Sequence, residues 1–569
     1  MPLRLAGRIA LVAAAPALFL AILEAALAVA GAPRDRYSLG PGSSLGRYWV
    51  PTGNGFERAI SPKPGKPAFL RDKPRNGYRV FVLGESTVEG VPYGFGSFVE
   101  WLDVRMRAML PARSVEVVNA GNRAWYASQI ATLLDESLEH EPDLFVWAAG
   151  HNEFNPWNVH QLHEEMEAPA LTAVKRAAWK LRTPNAIARI VPAGLLAKPP
   201  ELLDRALDRE LPCYGEERPL VERRFRETLD GAVGSAQRSH VPIVVCTMPR
   251  NVRTCPPNGS TFASALREDK SLRAQWDADY QTGVALLAGE KPSPEKAREA
   301  AAALRRAAAI DATPARLHFA LGRALDVAGD AEGSRKEFLE ALERDACPLR
   351  AQAWTETATR EVARARGVPL VDLRKLFDDA GRDGVSGDEL ICDNVHPTLV
   401  GHERIADEVL RVLDRDLHLG LRWDLDVDRD RARDELGITQ HEKRYVMRAE
   451  CLSNFKLALQ AGVESELCAL ARRVCAELLE ADPHDWEIAS ALGLLEALAG
   501  DREKASARIH EALRESWRVR AWLAAAYRLE PPFQRALDAA GIDMAEVERN
   551  LTPHEREQFE AFVADSARR

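Results

Sequence analysis

The chain has 569 residues, of which 46% are hydrophobic and 28% are charged, and its formal net charge is −9. This length predicts two to four domains with sizeable cores, and an acidic chain without a basic stripe excludes nucleic acid as an expected partner. Its eight cysteines have no Cys-x-x-Cys pair and no zinc-site spacing, so we expect buried small apolar residues, no metal and no cofactor.

Residues 1–30 predict a segment for export or membrane insertion. Arg4 and Arg8 precede an apolar run, Ile9 to Ala30, which is long enough to cross a bilayer as a helix. The Ala-Val-Ala at its end is also typical of a signal-peptidase site. We favour an uncleaved membrane anchor over a cleaved signal. In either case we expect the bulk of the protein outside the cytoplasm, in the periplasm or at the cell surface.

A candidate nucleophile follows the first strong strand signal. Residues 31–77 are rich in proline, glycine and charge, and they predict a linker. The apolar run from Val80 to Leu83 then predicts a buried parallel strand, and it ends in Gly84-Glu85-Ser86-Thr87. Because open α/β sheets bind ligands at the carboxyl ends of their strands, Ser86 is well placed for catalysis. By itself this signal is weak, since the same turn also occurs in structural roles.

Three later stretches end in polar residues that can meet Ser86. Two of them are predicted strands followed by small and polar residues, and the third is a loop before a predicted helix. They are Val115 to Val118 with Asn119-Ala120-Gly121, Leu144 to Trp147 with Gly150-His151-Asn152-Glu153, and the loop that carries Asp393 and His396.

Together and in this order, the four stretches resemble the sequence blocks of the SGNH (GDSL-type) hydrolase family. The resemblance covers roughly Tyr78–Arg250 and Ala351–Leu413. It implies an α/β fold with a three-layer α/β/α, flavodoxin-like sheet, in two parts at residues 78–261 and 350–416. The motifs GESTVEGVPY and GHNEF also resemble those of a bacterial subgroup whose members carry a membrane anchor and tetratricopeptide repeats.

The resemblance implies a role for each polar residue. Ser86 is the expected nucleophile, His396 the base that takes its proton, and Asp393 the group that orients the imidazole. The expected oxyanion hole consists of the backbone N–H groups of Ser86 and Gly121 and the side-chain amide of Asn152. No metal is part of this site.

The sequence departs from the family pattern at two positions. Glu85 stands where the family has an aspartate before the nucleophile, and Glu153 where it has one after the asparagine. His151 lies between two family positions and could touch substrate. His402 is the only local alternative to His396 as a base, although we expect it to be a solvated helix residue.

Two alanine-rich helical stretches accompany the hydrolase blocks, at 262–349 and 440–569, and a charged linker is expected at 417–439. Both stretches match parts of the tetratricopeptide pattern, and generic alanine-rich hairpins are the alternative. The matching positions are Leu321-Gly322, Phe338 and Ala341 in the first, and Leu492-Gly493, Ala505 and Ala512 in the second.

These observations predict a serine esterase of the cell envelope that acts through an acyl-enzyme. By analogy with the family, the expected substrates are small O-acyl esters, carbohydrate-linked ones above all. Two alternatives stay open. The same residues would serve an O-acyltransferase acting on an envelope polysaccharide, and the chain could instead be a scaffold with a vestigial hydrolase domain. In each case the helical repeats offer a surface for a protein partner.

Overall fold

The computed structural model describes residues 23–26, 48–58, 68–155, 158–159, 162, 217–287, 292–438, 443–461 and 466–568. The segment that we expect to be an anchor or a signal therefore lies outside the described residues, apart from 23–26. Among the described residues, no helix combines the length and the apolar character needed to cross a membrane. The chain divides into two compact units, one of residues 1–72, 157–200 and 568, the other of 73–156, 201–567 and 569.

The smaller unit contains a three-stranded antiparallel sheet. Its strands are β1 (Trp49–Pro51), β2 (Gly55–Arg58) and β3 (Phe69–Leu70), paired in that order. Trp49 is fully buried and meets the ring of Phe69 edge-on, with 5.0 Å between ring centroids. Phe56 stacks on the same ring at 5.1 Å. The described part of the segment that we expect as a linker thus has an aromatic core.

The larger unit is built on a parallel sheet of five strands. They are β4 (Gly77–Gly84), β5 (Ser114–Gly121), β6 (Leu144–Ala148), β7 (Ile243–Cys246) and β8 (Leu370–Val371). Every neighbouring pair is parallel, and the spatial order is β5-β4-β6-β7-β8. This is the flavodoxin-like order, in which the direction of winding reverses beside the first strand. The predicted parallel α/β sheet is confirmed, and its switch point lies between β4 and β6.

The larger unit contains 21 α-helices among the described residues. In chain order they are α1 (Ser86–Glu89), α2 (Phe98–Met109), α3 (Ala127–Ser137), α4 (Arg218–Arg238), α5 (Ser264–Glu268), α6 (Lys270–Leu286), α7 (Pro294–Ile310), α8 (Ala315–Ala328), α9 (Ala331–Glu343), α10 (Ala353–Arg366), α11 (Leu373–Ala380), α12 (Leu399–Leu417), α13 (Arg429–Glu435), α14 (Lys443–Ala461), α15 (Glu466–Ala481), α16 (Trp486–Leu498), α17 (Arg502–Glu515), α18 (Trp517–Leu529), α19 (Pro531–Ala540), α20 (Met544–Arg549) and α21 (Pro553–Arg568).

Helices cover both faces of the sheet because its strands are apolar on both sides. Val80 and Val82 belong to one core with residues of α2 and α12. Phe81 points to the opposite face, where its ring lies 6.1 Å from that of Phe145. On that side α3 packs against β4 and against α4, which packs in turn against α10. Ser97 starts α2 with the predicted capping box to Glu100.

The helical insertion leaves and re-enters the α/β part at neighbouring points. The carboxylate of Asp345 accepts the backbone N–H groups of Asn258 (2.9 Å) and Gly259 (2.8 Å). Ala346 N–H donates in turn to the carbonyl of Gly259 at 3.1 Å. Asp345 therefore holds the two ends of the insertion side by side, as expected of a segment that leaves the sheet after one strand and returns before the next.

The insertion and the C-terminal part are helical, as predicted, and both contain hairpins in which a glycine permits close packing. A Cβ atom on Gly322 of α8 would lie 2.8 Å from a ring carbon of Phe338 on α9. On Gly493 of α16 it would lie 2.7 Å from the side chain of Ile509 on α17. Both pairs have the same spacing along the chain. The tetratricopeptide assignment itself stays a prediction.

The charged segment 417–439 is tied to the α/β part by ion pairs. Asp426 pairs with Arg105 of α2 at 2.5 Å, and Arg429 of α13 pairs with Glu403 of α12 at 2.8 Å. Charged residues of this segment thus pair with residues of opposite charge on α2 and α12. All but one of the cysteines within the described residues are buried, as expected of small apolar side chains.

The packing of Gly322 generates a stability prediction. Gly322→Ala should lower the free energy of unfolding by about 1–3 kcal/mol, because the added methyl group forces Phe338 to move. Gly231 on α4 has open space around its Cα and is the matched control. Gly231→Ala should raise stability by about 0.5–1 kcal/mol through helix propensity alone. Chemical denaturation measures both, and equal effects of the two substitutions would contradict the packing.

Candidate active site

Ser86 begins a short helix at the carboxyl end of β4, beside the switch point of the sheet. Ser86 is largely buried, as are Thr87 and Val88 of the same turn. The hydroxyl of Thr87 lies 3.5 Å from the carbonyl oxygen of Val395. The turn after β4 is therefore in contact with the loop that carries Asp393 and His396, more than three hundred residues later in the chain.

That loop is a tight hairpin, which explains how two residues three apart can face each other. Ile391 and Pro397 form an antiparallel bridge at its base. Inside the bridge, the N–H of Cys392 donates to the carbonyl of His396 at 2.9 Å. One carboxylate oxygen of Asp393 accepts the N–H groups of Val395 (2.9 Å) and His396 (2.8 Å). These bonds leave the other oxygen of Asp393 for the imidazole.

Ser86, His396 and Asp393 form a continuous hydrogen-bonded chain. His396 Nδ1 lies 2.6 Å from Asp393 Oδ2, and His396 Nε2 lies 2.8 Å from Ser86 Oγ. A carboxylate can only accept, so Nδ1 carries the proton and the lone pair of Nε2 faces the serine hydroxyl. Asp393 is buried, whereas the imidazole keeps 16% of its surface exposed. The base can therefore receive a proton at a site that solvent or substrate reaches.

Glu85, the residue before the nucleophile, holds the backbone of the Asn152 loop. The Glu85 carboxylate is fully buried and accepts the N–H groups of Gly150 (2.9 Å), His151 (3.1 Å) and Asn152 (3.3 Å). Gly150 has a φ of +143°, a conformation that side chains disfavour, and this turn lets consecutive N–H groups converge. The side-chain amide of Asn152 donates to the carbonyl of Trp125 at 3.1 Å, which orients it, and no acceptor among the described residues takes its second N–H.

A second buried carboxylate, Glu153, completes the support of this loop. It accepts the N–H of Ala127, the first residue of α3, at 2.9 Å. Burial raises the pKa of Glu85 to about 8, with a further contribution from the negative charge of Glu153. Burial likewise raises the pKa of Glu153 to about 7. The sequence marked both residues as departures from the family, and the structure makes them the anchors of the Asn152 loop.

Gly121 lies at the site, but its N–H is engaged within its own strand. That N–H donates to the side chain of Asn119 at 3.0 Å, and the Asn119 amide donates to the carbonyl of Val88 at 2.8 Å. A Cβ atom on Gly121 would lie 2.2 Å from the backbone nitrogen of Glu89. The glycine is thus required by the close approach of α1. The N–H that the resemblance assigns to the oxyanion hole thus donates to Asn119 in this structure, and its role toward a substrate oxyanion stays a prediction.

Two further histidines lie close to His396, and both are buried. His151 accepts the N–H of Ala351 through Nδ1 (3.1 Å), and His402 accepts that of Phe98 in the same way (3.3 Å). Burial lowers the pKa of each to about 3, so neither takes up a proton near neutral pH. The expectation that His402 is solvated is wrong: it faces inward from α12 and stacks on the ring of Phe98.

Comparisons with known proteins yield likenesses of structure alone. No family model matches the chain, and no curated protein matches it. A catalytic mutant of an acetylxylan esterase from Geobacillus stearothermophilus is 13% identical with a TM-score of 0.26, over 60% of this chain and 96% of that one. A GDSL-like lipase from Bacteroides thetaiotaomicron is 10% identical with a TM-score of 0.26, over 61% of this chain and 93% of that one.

The support that Glu85 gives to Asn152 can be tested against the family pattern. Glu85→Asp installs the family residue but withdraws the carboxylate by one methylene from the N–H groups of Gly150 to Asn152. We expect kcat for ester hydrolysis to fall roughly 10-fold with KM little changed, because Asn152 is displaced. Glu89→Asp on the same turn is the matched control. Among the described residues, the carboxylate of Glu89 pairs with Arg123 alone, so this variant should keep the wild-type rate. An unchanged kcat in Glu85→Asp would contradict the anchoring role.

The raised pKa of Glu153 predicts a pH-dependent contribution to stability. The folded protein holds this proton more tightly than the unfolded chain does, so the contribution is complete below the ordinary glutamate value of 4.5 and is lost as pH rises to about 7. Glu153→Gln retains an acceptor for Ala127 N–H but cannot ionise. The unfolding free energy of the wild type minus that of Glu153→Gln should therefore fall between these pH values and level off above them. A difference that is constant with pH would contradict the buried, protonated carboxyl.

Proposed function

We propose that the protein is a serine esterase of the SGNH type, with Ser86 as nucleophile, His396 as general base and Asp393 as the group that orients the imidazole. One observation carries the proposal: a serine, a histidine and a buried aspartate, from opposite ends of the domain, in one hydrogen-bonded chain at the carboxyl edge of a parallel sheet. This geometry supports an active enzyme over a vestigial scaffold, because each donor already meets its acceptor.

The reaction proceeds in two balanced halves. Ser86 Oγ attacks the ester carbonyl while His396 Nε2 takes its proton, and the negative charge that develops on the carbonyl oxygen is bound by the Asn152 amide and the Ser86 N–H. His396 then gives the proton to the departing alcohol, which leaves an acyl-serine. A water molecule attacks this ester while His396 takes a proton from the water. His396 then gives that proton to Ser86 Oγ as the bond between the acyl carbon and Oγ breaks, so the acid and free Ser86 are released.

The proposed substrates are small O-acyl esters, in particular those carried by carbohydrates, at the cell envelope. The location rests on the apolar run Ile9 to Ala30 with Arg4 and Arg8 before it, and the substrate class rests on the SGNH resemblance. No cofactor takes part in the proposed mechanism. An acyltransferase would use the same residues and differ in the acceptor that attacks the acyl-serine.

Activity-based labelling tests the nucleophile without knowledge of the substrate. A fluorophosphonate should label the wild-type protein but neither Ser86→Ala nor, at a comparable rate, His396→Ala. With an activated acetyl ester, Asn152→Ala should raise the barrier by about 3 kcal/mol, as expected for a lost oxyanion donor. Asp393→Asn should lower kcat by roughly 10⁴-fold with the fold intact, because the wrong tautomer is favoured.

The matched control is Asn155→Ala, because the amide of that neighbouring asparagine donates to the carbonyl of Ala124 at 3.0 Å. It should change the rate far less than Asn152→Ala does. Wild-type labelling and turnover in Ser86→Ala would refute the assignment of the nucleophile. If added sugars become acylated in place of ester hydrolysis, the enzyme is a transferase with the same nucleophile.

A further inference from the structure

The first C-terminal helix contacts the loop that follows the candidate nucleophile. Tyr93 lies between α1 and α2 and is buried. Its hydroxyl donates to a carboxylate oxygen of Glu450, on α14, at 2.5 Å. Two residues with more than three hundred positions between them are thus joined by a short, charge-assisted hydrogen bond.

The same tyrosine meets the hairpin that carries Asp393 and His396. The thiol of Cys392 lies in contact with the Tyr93 hydroxyl. Cys392 donates two hydrogen bonds to the carbonyl oxygen of His396, one from its backbone N–H at 2.9 Å and one from its thiol at 3.3 Å. A continuous path of contacts therefore runs from Glu450 through Tyr93 and Cys392 to the backbone of His396.

A carboxylate at this place needs a reason, because burial disfavours its charge. Burial raises the pKa of Glu450, with a smaller contribution from the negative charge of Asp393, and the Tyr93 hydrogen bond opposes the rise. An apolar side chain would fill the contact without this desolvation cost. What the carboxylate adds is a directional acceptor that fixes the Tyr93 hydroxyl in one position.

We propose that Glu450 is a positioning residue, which through Tyr93 and Cys392 holds the 391–397 hairpin where His396 meets Ser86. This inference rests on the proposed esterase function and extends it to the C-terminal helices. These helices are then part of the catalytic unit, because they supply a group on which the placement of the base depends.

The test compares kcat and KM of four variants of the full chain on an activated acetyl ester. Glu450→Ala removes the acceptor and should lower kcat roughly 10-fold with KM little changed, since the base is displaced while substrate contacts stay. Glu450→Gln keeps an oxygen acceptor and should recover most of that loss. Tyr93→Phe should resemble Glu450→Ala. The double variant with Glu450→Ala and Tyr93→Phe should have a kcat no lower than either single variant, because both substitutions break the same path.

Arg448→Ala is the matched control for disturbance of the helix. Arg448 lies on α14, two residues before Glu450, but its guanidinium pairs with Asp485 at 2.6 Å, within the C-terminal helices. It should lower the melting temperature and keep the wild-type kcat when assayed well below that temperature. If kcat falls as much in Arg448→Ala as in Glu450→Ala, a general loss of helix stability explains both results, and the proposal is overturned.

Fluorophosphonate labelling separates failure of this inference from failure of the proposed function. If the wild type is labelled at Ser86 and Glu450→Ala keeps the wild-type kcat, the positioning role is refuted and the esterase assignment stands. If the wild type is neither labelled nor active, both are refuted. Loss of kcat in Glu450→Ala, recovery in Glu450→Gln and a non-additive double variant support the proposal.

Discussion

The buried carboxylate of Glu85 is the interaction on which the candidate site depends. It precedes Ser86 in the chain, and it accepts consecutive N–H groups from the loop after the neighbouring strand. One side chain thereby joins the turns after β4 and β6, which flank the switch point of the sheet. The buried oxygens of Glu85 would lack hydrogen-bond partners without these donors, at a cost in free energy, so the loop conformation and the placement of Glu85 require each other.

Polar side chains of this kind also attach the helical parts to the α/β part. Asp345 closes the base of the insertion by accepting the N–H groups of Asn258 and Gly259, and Glu450 meets Tyr93 beside the hairpin of His396. Such contacts are directional, and apolar packing is not. They set where each helical segment meets the α/β part, while the segments keep apolar cores of their own.

Two residues near the site are constrained in ways that the sequence did not show. Gly121, which we expect in the oxyanion hole, donates its N–H to Asn119, and its missing Cβ admits the backbone of Glu89. His402 was expected on a solvated helix face, yet α12 turns that position toward Phe98. Residue type and local spacing do not indicate which atoms of other segments come close to a residue. The contacts of Gly121 and of His402 are both set by such atoms.

The sequence by itself determined the parallel α/β sheet, the order of its strands along the chain, the capping of α2, and the residue types of a serine-based site. Apolar runs and capping residues are local signals, and they act over a few neighbouring residues. Only the tertiary structure decided from which N–H groups Glu85 accepts hydrogen bonds. It also decided that the loop with Asp393 and His396 is a closed hairpin and that Glu450 contacts Tyr93. These facts depend on the register and approach of segments far apart in the chain, and no local pattern encodes that geometry.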